Sequence, residues 1–294
     1  MHIKRIVTHP GGAHRDDLLA VCIALSHYGC VPVFRRDPTD EELQDPEVLV
    51  LDTGLRHEPE RLNLDHHQLP RDAEPTCALA LLVQHLGLEA EFQLQSWYAT
   101  TSLLDSKGPF VTAKALGLDR LPEELLSPVE ETLTRLFGAR VEVSAAYMHE
   151  DNFGGAAMIA EPLMVLMHDL GKQLLADVKA YAQTYARVRE LVRVVEVDGL
   201  DCFVCAEALS PTLSAAMSQY RDLEHPQVAV SITASDRDGE SWALYRYADH
   251  PRVDFSRLSG GDQVVFAHPG GFIAKLKPGV SEDEAVAFVR AALV

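Results

Sequence analysis

Ile3-Lys4-Arg5-Ile6-Val7-Thr8, then His9-Pro10-Gly11-Gly12-Ala13-His14-Arg15-Asp16-Asp17, then Leu18-Leu19-Ala20-Val21-Cys22-Ile23-Ala24-Leu25 is the stretch whose reading decides the fold. Residues 3–8 are short and rich in β-branched side chains, the texture of a strand. Residues 17–28 carry apolar positions at helical spacing. Between them lies a glycine-bearing loop with two histidines and two acids. Further on, 31–35 and 48–52 read as strands, and 76–87, 91–104 and 122–138 as helices. This β-α-β alternation predicts a mostly parallel sheet flanked by helices.

From about 153 to 194 the residues are almost all helix formers, with Pro162 starting or kinking a helix and Gly171 a candidate C-cap. After 194 the texture changes. Strands are expected at 201–206, 227–234, 241–247 and 263–268. Ser210-Pro211 opens a helix, and Ser281-x-x-Glu284 is a capping box before a final one. The expected fold class is α/β: an N-terminal domain over 1–190, with a helical connector at its end, and a smaller C-terminal α/β domain over 191–294.

The 294 residues include 26 Lys+Arg and 44 Asp+Glu, a formal charge of −18. Hydrophobic residues at 47% and charged residues at 24% exclude a largely disordered chain. The charge argues against a long nonspecific grip on nucleic acid, which needs a dense basic footprint. It leaves room for a small phosphorylated substrate or for a strand end held by metal ions. No run of about 18 apolar residues suggests a membrane span, and no signal-peptide core is seen, so the expected compartment is the cytoplasm. The five cysteines read as reduced thiols. Cys202 and Cys205 form a lone C-x-x-C on a predicted strand, where positions i and i+3 face opposite ways.

Histidine and aspartate gather at the predicted strand ends, where open parallel sheets bind ligands. His9, His14 and Asp16 lie in or just after the first loop. Asp52 ends Val48-Leu49-Val50-Leu51-Asp52, and Asp65-His66-His67 follows 13 residues later. Asp105 differs, following a predicted helix. Three imidazoles (His9, His14, His66) and three carboxylates (Asp16, Asp52, Asp105) exceed the needs of one cation. They suit two divalent ions sharing a bridging carboxylate. Mixed N/O ligation favours Mn²⁺, Fe²⁺, Co²⁺ or Zn²⁺ over Mg²⁺ or Ca²⁺. Such a pair would polarise a phosphoryl group and generate a hydroxide.

The Asp-His-His triplet, with a strand ending in Asp before it and the His-rich first loop, resembles the DHH phosphoesterase superfamily. That superfamily includes RecJ-like nucleases, oligoribonucleases and family II pyrophosphatases. Thr8–Asp17 as T-H-x-G-x-x-H-x-D-[DE] is similar to its Myg (melanocyte proliferating gene) branch, and Val264-Val265-Phe266-Ala267-His268-Pro269-Gly270-Gly271-Phe272-Ile273 resembles that branch's F-x-H-x-x-G-F-I motif. The first motif is one residue longer than the common superfamily pattern, with His14 replacing an Asp.

The resemblance implies a two-metal 3′→5′ exonuclease acting on RNA or short oligonucleotides, with its active site in the cleft between the domains. It implies two divalent ions, foremost Mn²⁺, with Fe, Co, Zn or Mg as alternatives. His9 and His14 would bind one ion, Asp16 and Asp105 the other. Asp52 would bridge them and His66 would complete the ligand shell of the second ion. His67 would face phosphate, Asp65 would orient the triplet, and Asp17 would support the helix start. Lys107 reads either as a phosphate contact or as a solvated lysine. His268, Gly270 and Gly271 read either as a substrate clamp or, for the glycines, as a plain hairpin turn. The expected partner is a nucleic acid 3′ end or a small phosphorylated substrate such as a cyclic dinucleotide or pyrophosphate, with a homodimer allowed. A non-catalytic metal-bound scaffold is the remaining alternative. His168-Asp169, reminiscent of HD phosphohydrolases, lacks assignable partners and reads as coincidence.

Overall fold

The computed structural model describes residues 2–122, 128–138, 148–150, 157–235 and 240–294. The chain is mixed α/β and divides into two compact units, Met1–Lys179 and Ala180–Val294. The expected boundary at 190/191 falls at the end of the long helix in which this division lies.

The first unit is built on β1 (Arg5–Thr8), α1 (Arg15–Tyr28), β2 (Val33–Arg35), α2 (Asp40–Gln44), β3 (Val48–Leu51), β4 (His57–Glu58), β5 (Asn63–Leu64), α3 (Ala78–His85), α4 (Glu89–Gln93), α5 (Ser96–Ala115), α6 (Pro128–Phe137), β6 (Met148–Glu150), β7 (Ala157–Ile159) and α7 (Glu161–Leu191). The sheet order is β4-β5-β3-β1-β2-β7-β6. Its centre, β5-β3-β1-β2, is parallel, and β4, β6 and β7 extend it antiparallel. Alternation along each central strand explains why both faces are apolar. Ile6, Leu49 and Leu51 pack with Val21, Ile23 and Leu25 of α1 and with Leu79 and Leu82 of α3. Val7, Val48 and Val50 pack with Leu43 of α2. Burial on both sides is what lets parallel strands read as continuous hydrophobic runs.

Four expectations are corrected. Residues 91–104 are not one helix: α4 ends at Gln93, and α5 runs on past 104 to Ala115, with a break at Gly108 (φ 79°) ahead of Pro109. Asp105 therefore lies inside a helix instead of following one. Gly171 is no C-cap but sits within α7, where a Cβ would stand 1.9 Å from the carbonyl oxygen of Cys22. It is the point at which α7 meets the backbone of α1. The expected helices at 122–138 and 153–194 reach in part beyond the described residues, at 123–127 and 153–156, and within the second stretch Ala157–Ile159 is the strand β7, paired with β2, so the helix runs only over Glu161–Leu191.

The second unit contains β8 (Arg193–Val197), β9 (Leu200–Ala208), α8 (Pro211–Glu224), β10 (Val230–Ala234), β11 (Trp242–Arg246), β12 (Val264–Ala267), β13 (Ile273–Leu276) and α9 (Glu282–Ala291). The sheet order is β12-β13-β11-β10-β9-β8, with only β9 and β10 parallel. Val204, Ile232, Leu244 and Leu276 pack with Ala285 and Val289 of α9. Phe203 stacks on Tyr220 of α8, ring centroids 5.5 Å apart. The expected caps are present: Ser210 accepts from Leu213 N, and Ser281 and Glu284 form the reciprocal box. Cys202 and Cys205 are buried free thiols three positions apart on β9. Among the described residues no helix is long and apolar enough to cross a membrane.

Candidate metal centre

Three loops, the first turn of α1 and helix α5 meet at the carboxyl ends of β1, β3 and β5. His9 follows β1. His14 is the N-cap of α1, which carries Asp16 and Asp17 in its first turn. Asp52 follows β3 with φ 59°, a left-handed conformation that Asp tolerates better than most residues. It turns the chain sharply at the strand end. Asp65, His66 and His67 follow β5, and α5 delivers Asp105.

These positions, scattered over 97 residues of sequence, converge in space. One ligand atom from each of Asp16, Asp52, His66 and Asp105 lies within 4.8 Å of the others. Two further groups meet the same criterion, Asp52-Asp65-His66-His67 and His9-Asp17-Asp52, so Asp52 belongs to all three. His66 Nε2 is 2.8 Å from Asp105 Oδ2 and 3.2 Å from Asp52 Oδ1. The His9 ring lies between those of His14 and His67, with centroids 5.9 and 6.0 Å away. His14 is the outlier: its imidazole is largely exposed, and its nearest acid contact is Asp105 at 3.7 Å.

Burial makes this arrangement costly without a cation. Asp16 and Asp52 are each 1% exposed. His9 Nδ1, Asp16 Oδ1, Asp52 Oδ1, His66 Nε2 and Asp105 Oδ2 are all buried without an aligned hydrogen bond. Buried polar atoms are nearly always satisfied; here His9 Nδ1 and Asp16 Oδ1 have no partner, and Asp52 Oδ1 and Asp105 Oδ2 meet only the His66 imidazole, so the cluster calls for a ligand. Burial, then the Asp52 and Asp105 carboxylates, push the pKa of Asp16 well above the ordinary carboxylate value. Burial opposes charge on His66, yet the Asp105 and Asp52 carboxylates outweigh it and raise its pKa to about 10. A proton on His66 thus occupies the electrostatic role that a cation would fill. The donor set, carboxylate oxygen with imidazole nitrogen, fits a borderline divalent ion.

The supporting contacts are specific. Asp65, fully buried, accepts from the His67 backbone N–H at 3.1 Å and meets His67 Nδ1 at 2.7 Å, while its other oxygen accepts from Leu55 N at 2.7 Å. Asp17 pairs with buried Arg35 at 3.0 Å. Lys107 donates to the carbonyls of Arg71 and Ala73, both at 2.6 Å, and so ties that segment to α5. His268, Gly270 and Gly271 form the turn between β12 and β13 in the second unit. Gly270 N donates to His268 Nδ1 and Gly271 N to His268 O, so both amides are engaged inside the turn. Gly271 has φ 69°, and a Cβ there would sit 2.2 Å from Asp254 Oδ1.

Arg35 was not among the residues singled out from sequence. A signal existed: a charged side chain closing an apolar strand is expensive to bury unless it is paired. His168 and Asp169 lie together on α7, at 3.0 Å. The chain matches no protein-family model and no curated protein.

Proposed function

We propose that the chain is a metal-dependent phosphoesterase of the DHH type, hydrolysing phosphodiester bonds of RNA or short oligonucleotides from a 3′ end with two divalent ions, foremost Mn²⁺. The observation that carries this reading is the convergence of buried carboxylates and imidazoles on Asp52, with His9 Nδ1 and Asp16 Oδ1 left without partners. Asp16, Asp52, His66 and Asp105 would hold one ion, and His9 and Asp52, with His14, the other. Bound ions would supply Lewis-acid polarisation of a phosphoryl group and an activated water nucleophile.

The chain's own residues do the rest. Asp52, shared by every ligand group, keeps the two positions adjacent. Asp65 takes the Nδ1 proton of His67 in a hydrogen bond, which turns Nε2 outward. His67 is half-exposed, so Nε2 is available to meet phosphate oxygen as charge develops.

The charge of −18 favours a second reading on the same centre, a small phosphorylated substrate such as a cyclic dinucleotide or pyrophosphate. Incubation of 5′-labelled oligoribonucleotides with Mn²⁺ separates the two. The exonuclease reading expects a ladder that Asp52→Ala abolishes. No ladder, with turnover of a small phosphoester, moves the assignment to the second reading. No turnover of either, or Asp52→Ala behaving like the wild type, sinks the phosphoesterase assignment.

A further inference from the structure

Positions 16 and 17 are adjacent acids in the first turn of α1, and the fold treats them oppositely. Asp16 Oδ2 accepts from Ala78 N at the start of α3, at 3.3 Å, while its Oδ1 is buried without a partner in the ligand cluster. Asp17 is as deeply buried and one of its oxygens falls in the His9-Asp17-Asp52 group, but both its oxygens are already engaged. One accepts from His14 N at 2.8 Å, the other from Arg35 Nη1 at 3.0 Å. Arg35, with a side chain 1% exposed, also donates through Nη2 to Gly11 O at 3.3 Å. Its guanidinium carbon lies 4.1 Å from the centre of the Phe137 ring. The strand below is anchored too: Arg35 pairs in register with Thr8 on β1, and Arg36 N donates to Thr8 O.

One guanidinium therefore grips the 9–14 loop at two points, at Gly11 directly and at His14 through Asp17. A fully buried ion pair is weak evidence for stability as such, because desolvation of both charges offsets their attraction. What a two-pronged planar cation does supply is fixed direction.

The geometry points to Arg35 as a positioning residue of the metal centre. It claims Asp17 as its partner, so that Asp16 alone of the adjacent acids is a ligand, and it clamps the loop that carries His9 toward Asp52. This inference rests on the metal reading proposed above. Lysine at 35 would keep the charge but cannot reach Asp17 and Gly11 together.

The test is titration of the full-length, metal-stripped chain with Co²⁺, followed by calorimetry and by the visible absorption band, whose intensity reports the ligand geometry. Arg35→Lys should weaken Co²⁺ binding by about tenfold to a hundredfold, the usual cost of losing an outer-sphere partner. It should also alter the absorption band. A merely structural role would lower the melting temperature and leave the spectrum of the folded fraction unchanged. Asp17→Asn, which keeps the shape and an acceptor for His14 N, should bind the wild-type number of ions. Wild-type affinity and spectrum in Arg35→Lys overturn the proposal, as does loss of an ion from Asp17→Asn. If Arg35→Lys does not fold, the stoichiometry of Asp17→Asn decides. Wild-type protein that takes up no Co²⁺ overturns this inference together with the metal reading. Normal uptake with an indifferent Arg35→Lys overturns this inference alone.

Discussion

Asp52 is the residue on which the centre turns, because all three ligand groups contain it. Asp52→Ala should cost at least the hundredfold in Mn²⁺-dependent hydrolysis that loss of an outer-sphere partner can reach, measured as kcat/KM on a short oligoribonucleotide. His66 and Asp16 give the centre a pH dependence with a definite sign. The pKa of His66 is raised from 6.5 to about 10, so its contribution to the stability of the metal-free protein is complete below about pH 6.5 and is lost as pH rises toward 10. Asp16, also raised, acts in the same direction, since ionising it in a buried site disfavours the fold above the ordinary carboxylate value. Chelated protein should therefore melt at progressively lower temperature between pH 7 and pH 10, and Mn²⁺ should restore the loss. Binding must also expel the His66 proton, so Mn²⁺ affinity should climb between pH 6 and 8.5, by up to about tenfold per unit for one proton released. A flat profile by calorimetry would contradict the assignment of His66 as a ligand. At this scale the sequence was informative for His9 and Asp52, which sit at strand ends that pattern alone locates, and for the Asp65–His67 triplet through its residue types and the resemblance, not through a legible strand. It was silent on Arg35, whose role exists only because β2 lies beside β1.

Among the elements, α1 shows how local rules and tertiary contact combine. Its start is legible from Asp17, three residues after the N-cap His14, which accepts from that residue's N–H. Its path past α7 is not, because it depends on Gly171. Helix propensity alone expects Gly171→Ala to gain about 1 kcal/mol. The 1.9 Å approach to the Cys22 carbonyl reverses that sign. Gly171→Ala should lose about 1–3 kcal/mol or more in urea unfolding, the range for overpacking against atoms that cannot give way. A neutral or stabilising effect would mean that α7 does not touch α1 there. Helix α5 makes the complementary point. The expected helix stopped at 104, yet α5 continues through Asp105 to its break at Gly108 before resuming, so Asp105 is carried by the helix. The two-residue strands β4 and β5 are too short for any alternation to show, and they form only because β3 offers β5 an edge.

For the molecule as a whole, the charge of −18 limits how nucleic acid can be held. Loading two divalent ions brings −18 to −14, still strongly acidic. Attraction for phosphate must then come from the centre itself. Oligoribonucleotide binding should stop strengthening beyond a few nucleotides, and log affinity against log salt should have a slope shallower than about −2, corresponding to fewer than about three neutralised phosphates. A slope of −5 or steeper would require a basic track outside the centre. Composition, strand-end chemistry and the β-α-β alternation, by contrast, needed no structure: the sequence by itself determined an α/β chain in which acids and imidazoles collect beyond the ends of parallel strands. That follows because period-2 and period-3.6 patterns are local, and because parallel strands put all their carboxyl ends on one side. Tertiary structure alone decided which acids face each other. Composition and spacing do not separate Asp16 from Asp17, and only the resemblance implied different roles; the packing of Arg35 against one and the α3 amide against the other is what leaves Asp16 Oδ1 unpartnered and puts Asp17 in a buried ion pair.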